Sequence, residues 1–312
     1  MRDTRSRPID LAAPVAAALE ADGPVVALES GVFSHGLPAD DAHRLARRLD
    51  EVVRRAGATP ALVAVRDGRI EVGGGLTDLT FLLDPAVLKV AERDLAVAMS
   101  RRRSGGTTVS ATLAIAHAVG IRVLATGGIG GVHIGGDLSG DVSADLLALS
   151  RYPVVVVCAG AKAICDAART AEALDTLGVT VVGYQTESFP GFFARSSGIP
   201  VPHRVETPHE IAAIAQSKSE LGDRTALLVV QPPPTGAALD RRTVDEAVAG
   251  ALARAGAAGV SGPALTPYLL AAIAEATNGR SVTVNLALLE ANAALAAEVA
   301  VAWAAACRGR TG

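Results

Sequence analysis

At 312 residues the chain is long enough for one large α/β domain, and 50% hydrophobic residues with only 3% aromatics leave Ala, Val, Leu and Gly to fill its core. A formal net charge of -3, with both signs interspersed, gives no footprint for nucleic acid or an anionic membrane. Three cysteines, Cys158, Cys165 and Cys307, form no CxxC pair and no even framework, which argues against a disulfide scaffold and for a reducing, cytoplasmic compartment.

Arg2, Arg5 and Arg7 open the chain, but Pro8, Asp10 and Pro14 interrupt the adjoining stretch, so no signal peptide is read there. No apolar run reaches the roughly 20 residues of a membrane span. Residues 24–28 (PVVAL) read as a short buried strand whose exit is Glu29-Ser30-Gly31. A turn at 35–38 leads into an amphipathic helix over 40–56. A strand over 61–66, the hairpin signal Asp67-Gly68 and a returning strand over 69–72 come next. Residues 82–95 read as a short helix and loop carrying Lys89. Gly105-Gly106-Thr107-Thr108 opens a helix over 109–119, and 121–125 is another strand. The glycine-rich loop 127–136 then precedes Asp141-Val142-Ser143-Ala144-Asp145 and a helix. A four-valine run, Val154 to Val157, reads as a strand buried on both faces, with Lys162 just past it and a helix starting at Ala163. A helix over 170–177, strands over 179–183 and 224–230 and a mostly helical remainder complete the alternation. The apolar segment 285–306 contains Glu290, Asn292 and Glu298, so it reads as a helix packed on protein. The pattern predicts a three-layer α/β/α fold with a mostly parallel central sheet, one catalytic domain over 1–312 with flexible ends at 1–8 and 307–312.

Several groups suggest chemistry, each beside a plainer alternative. Lys162 sits where open α/β sheets place ligands, and apolar walls with a helix N-terminus would lower its pKa toward a nucleophilic amine; the alternative is a lysine snorkelling into water. The glycine loop matches neither G-x-G-x-x-G nor a Walker pattern and is either a phosphate cradle or a tight turn. Gly105 to Thr108 is a second such candidate. Asp141 and Asp145, four apart, share a face if helical and would hold a divalent cation, or they simply cap a helix. Glu29, partly buried at a strand end, is either a general acid or a strand closure. None of the six histidines lies in a zinc pattern, and no G-x-S-x-G elbow occurs.

The ordered blocks VALES (26–30), SHGLP (34–38), SGGTTVSAT (104–112), ATGGIGGVH (125–133), DVSADL (141–146), VVCAGAK (156–162), RSSGIPVPHRV (195–205) and NGRSVTVNLALLEANA (278–293) closely resemble the pseudouridine-5′-phosphate glycosidase family. That family includes the indigoidine-synthase-A-like proteins, and the likeness runs from about residue 8 to residue 300. The resemblance implies reversible cleavage of pseudouridine 5′-phosphate to uracil and ribose 5-phosphate, assisted by Mn²⁺, in a homotrimer with no nucleic-acid or membrane partner. By similarity Lys162 is the Schiff-base lysine, Glu29 the acid and Asp141 the metal position. Lys89, Val109 (through its backbone), Ser143, Ala144 and Asp145 match substrate-binding positions. Thr126 and His133 are expected at the phosphate, and Asn285 at the substrate or the lysine. Ile134 and Ala194 depart from the family pattern and bear on base specificity. The rivals are a Schiff-base aldolase or lyase on another sugar phosphate, a nucleotide-dependent ribokinase-like enzyme, and a non-catalytic sugar-phosphate binder.

Overall fold

The computed structural model describes residues 9–35, 37, 39–74, 79–136, 140–260 and 265–308. Its strands are β1 (Ile9–Leu11), β2 (Val25–Glu29), β3 (Thr59–Arg66), β4 (Arg69–Val72), β5 (Leu88–Val90), β6 (Gly105–Thr107), β7 (Val123–Ala125), β8 (Val155–Cys158), β9 (Thr180–Tyr184), β10 (His203–Val205) and β11 (Leu227–Val230). Helices α1 (Ala13–Glu20), α2 (Gly31–His35), α3 (Ala39–Arg55), α4 (Leu95–Ser100), α5 (Val109–Val119) and α6 (Ala144–Leu149) fall in the first half. α7 (Ala167–Thr176), α8 (Pro208–Glu220), α9 (Arg241–Ala257), α10 (Leu265–Ala276) and α11 (Arg280–Arg308) come after them.

The main sheet runs β1-β4-β3-β2-β7-β8-β11-β9-β10, with β6 paired to β3 and β5 to β6. All pairs along β3-β2-β7-β8-β11-β9-β10 are parallel, and among the described strands β3–β4 and β3–β6 are the antiparallel pairs. The valine runs dictate this: β2, β8 and β11 are buried along their whole length, as strands covered by helices on both faces must be. α11 packs on β2, β7 and β8 between α3 and α8, and α5 packs on β2, β3 and β7 beside α6, giving the three expected layers. α11 is long and apolar enough to cross a membrane by length and composition, but 56% of its most apolar window is buried in the protein, as in a core helix. α3 forms because Ala42, Leu45, Ala46, Leu49 and Val53 make one apolar stripe, with acids in its first turn and arginines in its last matching the helix dipole. The Asp67-Gly68 hairpin is as expected, with φ of 49° and 80° at its two central residues.

Four local expectations are corrected. Lys89 lies on β5, not in a helix or loop, because β6 offers that segment a parallel partner. Gly105 to Thr107 is itself a strand, and its glycines answer to packing. A Cβ at Gly106 would lie 2.3 Å from Ser34 Oγ, and one at Gly105 2.3 Å from Val90 Cγ2. The helix after Lys162 starts at Ala167, capped by Asp166, so Lys162 sits in irregular backbone. Asp141 lies outside α6, which Ser143 caps, so Asp141 and Asp145 do not share a helical turn.

Candidate active site

The β7–β8 ladder does not stop at the strand ends. Thr126 N donates to Val157 O (3.0 Å), Ala159 N to Gly127 O (2.9 Å), Ile129 N to Gly160 O (3.0 Å) and Lys162 N to Ile129 O (2.9 Å). The glycine loop and the lysine loop are therefore one zippered unit. Beyond it, the amide of Gly130 is given to Asp145 Oδ2, that of Gly131 to Cys165 Sγ, that of Val132 to Thr170 Oγ1 and that of His133 to Asp141 O. This overturns the expectation of exposed amides cradling a phosphate: Gly127 to Gly131 are buried and Ile129 to His133 have spent their N–H groups internally. Glycine is required there because side chains press on the loop. A Cβ at Gly130 would lie 2.2 Å from Ser143 Oγ, and one at Gly128 2.7 Å from the Phe192 ring.

Register also places Glu29. Leu28 pairs with Ala125, so the next residues, Glu29 and Thr126, emerge side by side, and the Thr126 hydroxyl donates to Glu29 Oε1. Ser30 anchors this exit: its Oγ donates to Val63 O (2.6 Å) and accepts from Thr107 N (2.9 Å). Asp145 is held more tightly still. It is 4% exposed, and its two oxygens accept from Ser110 N (2.9 Å) and Gly130 N (2.8 Å).

Lys162 faces Glu29 and Asp145. Burial pushes its amine toward the neutral form, but the two carboxylates outweigh burial and its pKa is raised. The expected fall is thus corrected: a sequence shows the apolar walls but not two acids arriving from other strands and helices. Glu29 is also raised, chiefly by burial, with Lys162 and Thr126 opposing. Lys89 joins the same field. Its side chain reaches solvent, yet partial burial and the Lys162 charge hold its pKa below the usual lysine range. The Cys165 thiol, also near Lys162, is pushed up to about 11 by burial and is not an activated nucleophile.

Glu29, Lys89, Thr126, Asp145 and Lys162 therefore form one group, with Val109 in the first turn of α5, where helix N–H groups have no intrahelical partner. Ser143 caps α6 at Asp145 N and Ala144 comes directly after it. The Thr126 hydroxyl is given to Glu29, and His133 Nδ1 lies 3.2 Å from Asp141 Oδ1. Asn285 is half-buried on α11, and no hydrogen bond or charge contact joins it to the group among the described residues. Asn292, one heptad further on, reaches the glycine loop, donating to Thr126 O (2.9 Å) and Gly127 O (3.4 Å). Its only sequence signal is a polar residue on an otherwise apolar helical stripe. A cavity of about 380 Å³ opens beside Lys162, and Ile134 and Ala194 both line it, with Ser196 and Arg241 supplying polar wall.

For a metal, the donors at Asp141 among the described residues include its own carboxylate, 47% exposed, and the His133 imidazole. Among the described residues no cluster of three or more His, Cys, Asp or Glu is arranged to hold an ion. One carboxylate and one imidazole suit a hydrated divalent cation that keeps most of its waters, and do not suit an all-protein cage.

The fold and this site together define an α/β/α protein with a lysine–carboxylate group at the carboxyl ends of its parallel strands. Residues 14–302 match the family described as Indigoidine synthase A like protein, and the chain belongs to that family. It is 48% identical over 295 residues, 94% of this chain and 88% of the relative, to the pseudouridine-5′-phosphate glycosidase of Methylobacterium nodulans. It is 47% identical to that of Myxococcus xanthus, covering 92% of this chain and 95% of the relative. Among solved structures it is similar to the prealnumycin C-glycosynthase in complex with ribulose 5-phosphate, with TM-score 0.90, 34% identity and 98% and 100% of the two chains covered. An indigoidine synthase A-like protein from Thermotoga maritima gives TM-score 0.86 at 35% identity, over 97% of this chain and 100% of that one.

Proposed function

We propose that this chain is a pseudouridine-5′-phosphate glycosidase, an enzyme that reversibly cleaves the carbon–carbon glycosidic bond to give uracil and ribose 5-phosphate. The observation that carries the reading is a half-buried lysine amine facing a buried glutamate, Lys162 and Glu29, in a chain nearly half identical to relatives of that name. A carbon-linked base cannot leave as a protonated nitrogen does, so ordinary paired-carboxylate glycosidase chemistry fails on it. The reaction needs a neutral amine and a protonated acid. Transfer of one proton from Lys162 to Glu29 supplies both at once; the raised pKa of buried Glu29 favours that transfer, and the raised pKa of Lys162 opposes it until substrate binding alters the field.

Those two groups set the order of steps. Glu29 protonates the ribose ring oxygen, and the ring opens with electron push from uracil. Lys162 adds at C1′ to form a carbon–nitrogen bond. Protonation of uracil at C5 then breaks the carbon–carbon bond, leaving an imine between Lys162 and the sugar. Water hydrolyses it to ribose 5-phosphate and the free amine. Lys89 and the Val109 amide bind the sugar phosphate, with Ser143, Ala144 and Asp145 as further substrate contacts. Asp141, with His133 beside it, would hold Mn²⁺, which when bound polarises the uracil carbonyls directly or through water. A homotrimer in the cytoplasm and a single catalytic domain over the whole chain complete the proposal.

The test is incubation with pseudouridine 5′-phosphate and Mn²⁺, with uracil detected by absorbance and ribose 5-phosphate by mass. Borohydride added with ribose 5-phosphate should leave a sugar adduct on the peptide carrying Lys162. Uracil release with an unmodified Lys162 peptide would exclude the imine route. Adduct formation without uracil release would point to an aldolase or lyase on another sugar phosphate.

A further inference from the structure

Asn292 stands out as a buried polar side chain on a core helix. It is 1% exposed, flanked on α11 by Leu289 and Ala293 in the apolar core. Its amide donates to the carbonyls of Thr126 and Gly127, which fixes the side-chain orientation and leaves Oδ1 buried without a partner among the described residues. Leaving such an acceptor unmade is costly, and an apolar side chain would avoid it. The Gly127 carbonyl already accepts from Ala159 N, so the bond that matters is the one to Thr126 O.

That peptide plane is a weak point in the loop. Thr126 N is held by Val157 O, but the next residue is glycine, so the Thr126–Gly127 plane is free to turn unless its carbonyl is anchored. We propose that Asn292 is a positioning residue: by anchoring that carbonyl from α11 it keeps the Thr126 hydroxyl aimed at Glu29, and so sets the acid for the reaction. This rests on the glycosidase reading only where turnover is measured. An asparagine that merely satisfied a strand-end carbonyl would hold the fold together and leave Glu29 as it was.

The groups around Glu29 fix the sign. Lys162, Lys89 and the Thr126 hydroxyl favour its ionised form, while Asp145 and burial favour the protonated one. Removing Asn292 loosens the hydroxyl, so Glu29 should keep its proton to higher pH. The experiment compares wild type, Asn292→Leu, Thr126→Val and the double variant. Its readouts are melting temperature, kcat and KM against pH, and the Glu29 titration by NMR of ¹³C-labelled glutamate, assigned with Glu29→Gln. Asn292→Leu should lower kcat about tenfold with KM within about twofold. It should also move the Glu29 titration upward, and the double variant should be no slower than Thr126→Val alone. A lowered melting temperature with an unmoved titration, or additive losses in kcat, overturns the proposal. Asn292→Ala repeats the test if the leucine variant does not fold, and failure of both to fold assigns Asn292 to the core. Were the wild type inactive on pseudouridine 5′-phosphate, the glycosidase reading would fall while the titration still decided the role of Asn292.

Discussion

Lys162 carries the proposed chemistry, and its charge is set by neighbours from distant parts of the chain. Burial and the two carboxylates pull against each other there, and the carboxylates win. Two substitutions probe this balance. Glu29→Gln should lower kcat by about a hundredfold or more with KM little changed, because the amide keeps the shape and hydrogen bonding but has no proton to give. Near-normal kcat would remove Glu29 from the acid role. Lys89→Met concerns the field rather than the transfer. The Lys89 ammonium favours ionised Glu29, so without it Glu29 stays protonated to higher pH. The alkaline limb of kcat should then move upward, with a several-fold rise in KM from the lost cation. A pH–rate profile that shifts downward, or not at all, would show that Lys89 does not couple to the acid.

The zippered pair of loops after β7 and β8 behaves as a single element although neither loop is regular. Its rigidity comes from the ladder continuing past the strands and from side chains pressed onto glycines. Gly130→Ala tests this. The new Cβ would meet Ser143 Oγ and Asp145 Oδ2, so Asp145 must shift or the loop must part from it. A loss of about 2 kcal/mol in stability is expected from such overpacking, together with a fall of at least about tenfold in kcat. Thermal melts and steady-state rates separate the two effects, and a melt lowered with kcat intact would mean that Asp145 need not be held so closely. The helices and strands themselves were largely legible in the sequence, because an apolar stripe or a valine run carries its own period. Among the exceptions were β1, β5, β6, β10, α1, α8 and the stretch between Lys162 and α7. Three-residue strands have no period to read, and their pairing depends on partners far along the chain.

Across the whole molecule, the proposed chemistry and a structural ion pair sit at opposite ends of the sheet. The lysine–carboxylate group occupies the carboxyl ends of the strands, while Lys218, nearly buried, is tied at the other end to Asp223, Thr180 and Thr225. Burial alone would raise the Asp223 carboxyl, but the Lys218 ammonium and Thr225 hold it below the usual range. A carboxyl depressed in the native state stabilises above its ordinary pKa, and that contribution is lost as pH falls through the native value. Asp223→Asn should therefore cost about 2 kcal/mol at neutral pH, discounted for the solvent that reaches Asp223, and progressively less in acid. Calorimetry against pH measures it, and kcat should not change; a rate effect would show that the two ends communicate.

The blocks around Glu29, Asp145 and Lys162 were readable as chemistry from the residues, since small side chains, strand ends and a lone lysine are local features. The linear chain carried the layered fold, the family and the residues worth naming, because periodicity and motif order need no third dimension. Folding settled that the glycine loop keeps its amides for itself, that Lys162 lies between two acids, and that Asn292 on the last helix reaches the loop. Each of those outcomes is a contact between segments tens to hundreds of residues apart, and no local pattern carries the distance at which two such segments meet.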